Sequence, residues 1–348
     1  MYFQLRITDI IRETPGTYTY KLANISPELI SYQPGQFLTF LITLNNKEYR
    51  RSYSFSSTPG VDPFMSVTIR EKENGEISRH LIRTWKKGDV VTSLEPTGRF
   101  TYQPPAAPVK DVFLLAAGSG ITPIFSLLKQ ILTHDPGAHV TLIYSNTSPE
   151  RTIFYGQLQQ WQTNYPEQLQ SIYLFSNDPD SHHAYRRLNN TLLEQLVKTH
   201  MRYQYTDASF FLCGPPDYMR TILLTLTFMG FRNDQLHKEN FVVNTDIKIA
   251  KTLLPQNHDP KQVVIHAHGQ EYKLSVPADQ TILNYALEQG IPLPYSCKGG
   301  VCGSCTVKCT NGKVWMSVNE VLTEKELAEG LVLTCVGYPS SDYLTLEL

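Results

Sequence analysis

The chain has 348 residues, 41% of them hydrophobic and 18% charged, and a formal net charge of −1. That balance suits a globular protein of about two to three domains. It excludes bulk electrostatic attraction to nucleic acid or to anionic lipid. No apolar run is long enough to span a bilayer. The stretch from Met1 to Arg6 alternates like a strand and lacks a basic segment followed by an apolar one, so no secretory leader is expected and a cytoplasmic protein is.

Residues 1–104 are expected to form an antiparallel β-barrel. Short alternating runs at 3–7, 17–22, 37–44 and 66–69 are separated by turn signals such as Pro15-Gly16 and Pro34-Gly35. One helix, 77–85, sits inside this pattern and is stopped at Lys87-Gly88-Asp89. The prolines of residues 103–108 end the domain, because proline cannot continue a ladder.

Residues 105–245 change character. Apolar runs at 112–117, 139–144, 171–175 and 209–213 alternate with helical stretches at 123–132, 154–162 and 188–198. That alternation predicts a doubly wound parallel α/β sheet. Residues 246–260 read as a linker. Residues 261–348 are expected to form a small α+β domain of the β-grasp kind, opening with a hairpin of 263–267 and 271–276 around His268-Gly269. Asp279 is placed to cap a helix over 280–289, and Gly290 to stop it.

Cysteines stand at 213, 297, 302, 305, 309 and 335. Cys297, Cys302 and Cys305 read C-x4-C-x2-C, with Cys335 downstream, the plant-type spacing for a [2Fe–2S] cluster. Gly299, Gly300 and Gly303 would let the loop fold tightly and bring N–H groups to the sulfurs. Four thiolates also suit zinc. Zinc ribbons, however, pair two C-x2-C hooks, and here only Cys302 and Cys305 form one. Cys309 follows a strand-like run and reads as a packed thiol. His266 and His268, in the hairpin, read as surface residues, and no histidine replaces a cysteine as a Rieske centre would require.

Three upstream motifs carry further chemistry. In Arg51-x-Tyr53-Ser54 the alternation puts Arg51 and Tyr53 on one strand face, an arginine for a pyrophosphate and a ring for stacking. Gly75-Glu76-Ile77-Ser78 opens a helix whose N–H groups can meet phosphate. Gly118-Ser119-Gly120-Ile121-Thr122-Pro123 lies between a buried strand and a helix, where such sheets bind dinucleotide phosphate, with Pro123 expected at the first helical position. Beside them, Cys213-Gly214-Pro215 ends a strand at the ligand-binding edge of the same sheet.

In this order these motifs resemble the ferredoxin–NADP reductase superfamily. With the C-terminal cluster domain, the whole chain resembles the reductase components of multicomponent oxygenases, and its module order is most like the reductase subunits of phenylacetyl-CoA epoxidases. The resemblance implies FAD held by Arg51, Tyr53 and Ser54, with Gly75, Ile77 and Ser78 at its pyrophosphate. It implies NADPH or NADH over Gly118, Ser119, Gly120, Ile121, Thr122, Cys213, Gly214 and Pro215. It also puts Ser54, Cys213 and Glu239 at the reacting rings, with Phe241 bordering the flavin, and the cluster on Cys297, Cys302, Cys305 and Cys335. NADPH-selecting relatives often carry Ser-Arg where this chain has Ser176-Asn177. Arg186 and Arg187 could substitute or simply form a solvated helix start, and Tyr144-Ser145-Asn146-Thr147 lacks the acidic residue that holds a free ribose hydroxyl, so the reading leans to NADPH. The expected activity is electron transfer from pyridine nucleotide through FAD and [2Fe–2S] to a protein acceptor. That acceptor is an oxygenase component or, alternatively, a separate ferredoxin, desaturase or other hydroxylase. A redox-sensing module without productive turnover is the non-enzymatic alternative.

Overall fold

The computed structural model describes residues 2–104, 107–177, 187–241 and 259–348. The chain divides into two compact units, Met1–Val242 and Val243–Leu348. The expected linker lies mostly outside the described residues, as does Arg186.

The first unit opens with β1 (Tyr2–Thr14), β2 (Thr17–Asn24), β3 (Phe37–Leu44), β4 (Lys47–Ser54), β5 (Met65–Arg70), α1 (Glu76–Thr84) and β6 (Val90–Leu94). The six strands form an antiparallel sheet in the order β4-β3-β6-β1-β2-β5. Phe55, just past β4, bridges Val67 of β5, so the two outer strands meet and the sheet closes into a barrel. Its core holds Leu5, Tyr20, Leu38, Phe40 and Ile69, and the buried Ile77 and Leu81 of α1 join it. Strand β1 runs well past the expected residues 3–7. Register shifts at Ile7/Asp9 and Arg12/Thr14 break its period-two pattern, so the alternation that marks a strand is lost there.

A five-stranded sheet follows. It is built from β7 (Lys110–Ala117), α2 (Ile121–His134), β8 (Ala138–Asn146), α3 (Tyr155–Asn164), β9 (Leu169–Phe175), α4 (Asn190–His200), β10 (Ala208–Cys213), α5 (Pro216–Phe228) and β11 (Leu236–Glu239). The order is β11-β10-β7-β8-β9, parallel throughout. Val112, Leu114 and Ala116 of β7 enter one core and Phe113 and Leu115 the other, which is why β7 reads as an unbroken apolar run. The chain goes outward from β7 through β8 to β9, then returns to β10 on the other side of β7. The carboxyl ends of β7 and β10 therefore flank a topological switch point, where open α/β sheets take their ligands. Helix α2 begins at Ile121, so Pro123 stands two residues inside it rather than first. The first-turn N–H groups have no intrahelical acceptor, and proline costs nothing there.

The second unit comprises β12 (Lys261–Ala267), β13 (Gln270–Val276), α6 (Ile282–Glu288), β14 (Thr306–Asn311), β15 (Val314–Met316), α7 (Glu324–Ala328), β16 (Leu331–Leu333), β17 (Gly337–Pro339) and β18 (Tyr343–Glu347). Its five-stranded sheet runs β13-β12-β18-β14-β16, with β12 and β18 parallel. The expected hairpin is present, and His268 and Gly269 turn it with φ of 53° and 76°. The cap of α6 is Thr281, whose hydroxyl accepts from Asn284 N at 3.3 Å, and not Asp279. Gly290, at φ 75°, ends the helix as expected.

Candidate functional site

The candidate flavin cradle lies on β4 and α1. Arg51 and Tyr53 share a face of β4, opposite Phe40 and Leu38 of β3. Arg51 is exposed, its guanidinium 5.7 Å from the Tyr49 ring, and donates to Arg50 O at 2.8 Å. Burial pushes the Tyr53 phenol up to about 12, against a smaller pull from Arg51, so the ring stays neutral at physiological pH. Ser54 is buried at the end of the strand. At the start of α1, Gly75 is the N-cap, and Ser78 Oγ accepts from Lys72 N at 3.0 Å. A Cβ on Gly75 would lie 2.9 Å from that oxygen, so glycine keeps the turn closed. Ile77 points its side chain into the barrel core. Only its backbone N–H can face a phosphate.

The candidate nucleotide cradle is a short 3-10 turn, Gly118–Gly120, leading into α2. Gly118 adopts φ +54°, and its carbonyl accepts from Tyr144 Oη at 3.0 Å. Ser119 O accepts from Thr122 Oγ1 at 3.1 Å, and Ile121 is fully buried. Cys213 ends β10, in register with Ala116 of β7 on one side and Glu239 of β11 on the other. The structure thus sets the Cys213 and Glu239 backbones side by side, although a whole helix, α5, separates them in sequence. Burial first, and the Glu239 charge second, push the Cys213 thiol up. Cys213 is therefore expected to resist iodoacetamide in the native protein up to pH 9 and to react only after denaturation, which peptide mapping would check. Gly214 leaves room for the Tyr218 ring, 2.8 Å from where its Cβ would stand, and Pro215 caps α5. Phe241 is 44% exposed.

In the second unit, Cys297, Cys302, Cys305 and Cys335 come together. Cys297 interacts electrostatically with Cys302 and Cys335, and Cys305 with Cys335. That interaction holds Cys297 and Cys305 below the usual thiol range and raises Cys302 and Cys335. No three Cys, His, Asp or Glu side chains among the described residues surround one common point as a single ion requires. The donor set itself, three thiols from one glycine-containing loop and a fourth, Cys335, buried beyond β16, suits a [2Fe–2S] group. Gly299 N donates to Cys297 Sγ at 3.4 Å. Gly300 and Gly303 adopt φ of 73° and 72°, but Gly299 does not have a positive φ; Lys298 does, at 54°. The turn thus takes its left-handed residue one position earlier than expected, and Gly299 contributes its N–H. Thr334 ties the two ligand segments, donating to Cys305 O from N at 3.2 Å and from Oγ1 at 3.1 Å. Cys309 sits on β14 with its thiol toward Asn311 O, apart from this group.

Three families match in succession: "Oxidoreductase FAD-binding domain" over residues 4–102, "Oxidoreductase NAD-binding domain" over 114–223 and "2Fe-2S iron-sulfur cluster binding domain" over 265–340. A subunit of the 1,2-phenylacetyl-CoA epoxidase from Escherichia coli is 33% identical, over 99% of this chain and 97% of its own. This chain belongs to the family of FAD- and [2Fe–2S]-dependent oxygenase reductases. The ferredoxin reductase component of a 3-ketosteroid-9-alpha-monooxygenase from Mycobacterium tuberculosis is 31% identical to this reductase, over 97% of this chain and 94% of its own. Phthalate dioxygenase reductase shares the fold, with a TM-score of 0.60 at 21% identity, covering 100% of this chain and 98% of that one. An intact self-sufficient cytochrome P450 monooxygenase matches at TM-score 0.75 and 20% identity; the reductase covers 41% of its length and is itself covered completely. The reductase is accordingly an NAD(P)H-dependent oxidoreductase with FAD-, nicotinamide- and [2Fe–2S]-binding modules. No helix among the described residues is long and apolar enough to cross a membrane.

Proposed function

We propose that this reductase feeds electrons from NADPH to a phenylacetyl-CoA epoxidase in the cytoplasm, with the site residues in the roles the resemblance implies. Flavin, when bound, takes two electrons as a hydride and releases them singly, and a [2Fe–2S] cluster takes one at a time. Arg51 and the first-turn N–H groups of α1 bind the FAD phosphates, Tyr53 packs on the ring, and Ser54 supplies a hydroxyl beside the hydride-accepting nitrogen. The Gly118–Thr122 segment binds the pyridine nucleotide. Cys213 and Glu239 fix the nicotinamide ring against the flavin, and Phe241 borders it. Cys297, Cys302, Cys305 and Cys335 hold the cluster from which electrons leave.

The observation that carries the choice of acceptor is the 33% identity to an epoxidase component over nearly the whole of both chains. The 31% identity to a 3-ketosteroid monooxygenase reductase favours a second reading, a reductase for another oxygenase. Purified protein should show flavin absorbance and acid-labile sulfide and should turn over with NADPH. Reconstitution with epoxidase components should give oxygenation that 3-ketosteroid monooxygenase does not. The reverse result sinks the epoxidase assignment, and a flavin-free, sulfide-free protein sinks the whole scheme. For the coenzyme, Arg187→Ala and Arg186→Ala should raise KM for NADPH by about 10-fold, the loss of one charge-assisted phosphate contact, and leave NADH unchanged. Equal effects on both coenzymes would refute a 2′-phosphate contact.

A further inference from the structure

Helix α2 is bolted to the barrel by a buried polar seam, and each of the two segments that meet there continues in sequence toward residues assigned to a cofactor. Lys129 of α2 has a side chain only 4% exposed. Its ammonium donates to Ser56 O at 2.8 Å and to the carboxylate of Asp62, and it lies 4.5 Å from the Phe125 ring centre. Asp62 also accepts from Thr58 N at 2.7 Å. One turn earlier, Ser126 Oγ donates to Ser57 O at 2.6 Å, and Ser126 O accepts from Thr58 Oγ1 at 2.8 Å. The barrel partners all belong to residues 56–62, between β4 and β5. That segment begins two residues after Ser54. Helix α2 itself begins at the Gly118–Gly120 turn.

An apolar seam of equal volume would hold the two modules as well or better, since a buried ion pair rarely adds net stability. It would hold them less specifically, because apolar contacts tolerate sliding and directional hydrogen bonds do not. Here five hydrogen bonds between the two elements and within the 56–62 segment fit the register observed. We propose that Lys129 and Asp62 are positioning residues for hydride transfer: their buried pair fixes the register between the flavin-bearing barrel and the nucleotide-bearing sheet. This rests on the reading that Ser54 borders the flavin and that Gly118–Thr122 holds the nucleotide. Neither residue touches a reacting atom. Both act through the distance between the rings.

The test is anaerobic stopped-flow reduction of the full-length, flavin- and cluster-loaded protein by NADPH, for wild type, Lys129→Met, Asp62→Asn and the double variant. A donor–acceptor misplacement near 1 Å costs about 100-fold, so the limiting rate of flavin reduction should fall at least about 10-fold in Lys129→Met. The primary isotope effect with 4-deuterated nucleotide should rise, and the nucleotide dissociation constant should stay within about 3-fold, because the binding contacts are untouched. The double variant should lose little beyond the worse single, as coupled residues do. Photoreduced protein, which bypasses the nucleotide, should reduce an acceptor at the wild-type rate. Flavin-replete variants with a lowered melting temperature but wild-type reduction rate and isotope effect would overturn the proposal and leave the pair a structural tie. Asp62→Asn keeps the shape and an acceptor for Thr58 N–H, so it carries the same test where Lys129→Met fails to fold. A wild type that neither NADPH nor NADH reduces would instead overturn the functional reading beneath it.

Discussion

Replacing Cys335 by serine should abolish transfer to a one-electron acceptor while sparing the flavin chemistry. Cys335 is 6% exposed, lies beyond β16 and interacts electrostatically with both Cys297 and Cys305. Serine offers a hard oxygen that is protonated at neutral pH, where soft thiolate holds iron–sulfur centres. Substitutions one shell further out already cost about 10–100-fold at metal sites, so loss of the ligand should lower NADPH-driven cytochrome c reduction by about 100-fold or more. Ferricyanide reduction, which needs only the flavin module, should stay within about 2-fold, because the first unit has its own cores and does not depend on cluster loading for its fold. Acid-labile sulfide should disappear in step. Cys309→Ser is the control: its thiol faces Asn311 O, outside the group of four. Retained sulfide in Cys335→Ser together with loss in Cys309→Ser would reassign the fourth ligand.

Sequence patterns reached the parts of this fold that depend on one segment at a time. The buried strand β7, the α2 helix after the glycine turn, the hairpin around His268-Gly269 and the C-x4-C-x2-C loop each carry their signal locally. The pairing of Cys213 with Glu239 is different in kind. It depends on β10 and β11 lying in parallel register, and neither residue's neighbours announce the other. The Lys129 seam is less visible still, since a lysine in a helix reads as a solvent-facing position. Only the fold shows that a carboxylate from the 56–62 segment meets it. The cap of α6 illustrates a smaller ambiguity. Asp279 and Thr281 are both good N-cap types, and the choice falls to the residue whose oxygen reaches Asn284 N.

Gly120→Ala should damage the nucleotide site without touching the flavin. A Cβ there would stand 2.1 Å from Cys213 O, 2.5 Å from Cys213 C and 2.9 Å from Gly214 N. All three are backbone atoms at the end of a central strand, and none can swing away. Relief requires the 118–120 turn to move off β10, taking the start of α2 with it. Overpacking of this sort costs about 1–3 kcal/mol, and the displaced turn should weaken NADPH binding and slow flavin reduction by about 10–100-fold together. Gly118 offers an instructive contrast. Its Cβ would meet Arg70 Nη1 at 2.7 Å, the far end of a flexible side chain, so its constraint is the φ of +54° and not the space. Gly156→Ala is the control, for nothing lies within 4 Å of its Cβ and it sits in α3. There alanine should be neutral or stabilise by about 0.4–1 kcal/mol, through the unfolded chain. Equilibrium nucleotide titration and anaerobic reduction of both variants decide the matter. If Gly120→Ala matches Gly156→Ala in both measurements, the turn can yield, and the close approach of Gly120 to Cys213 does not define the cradle.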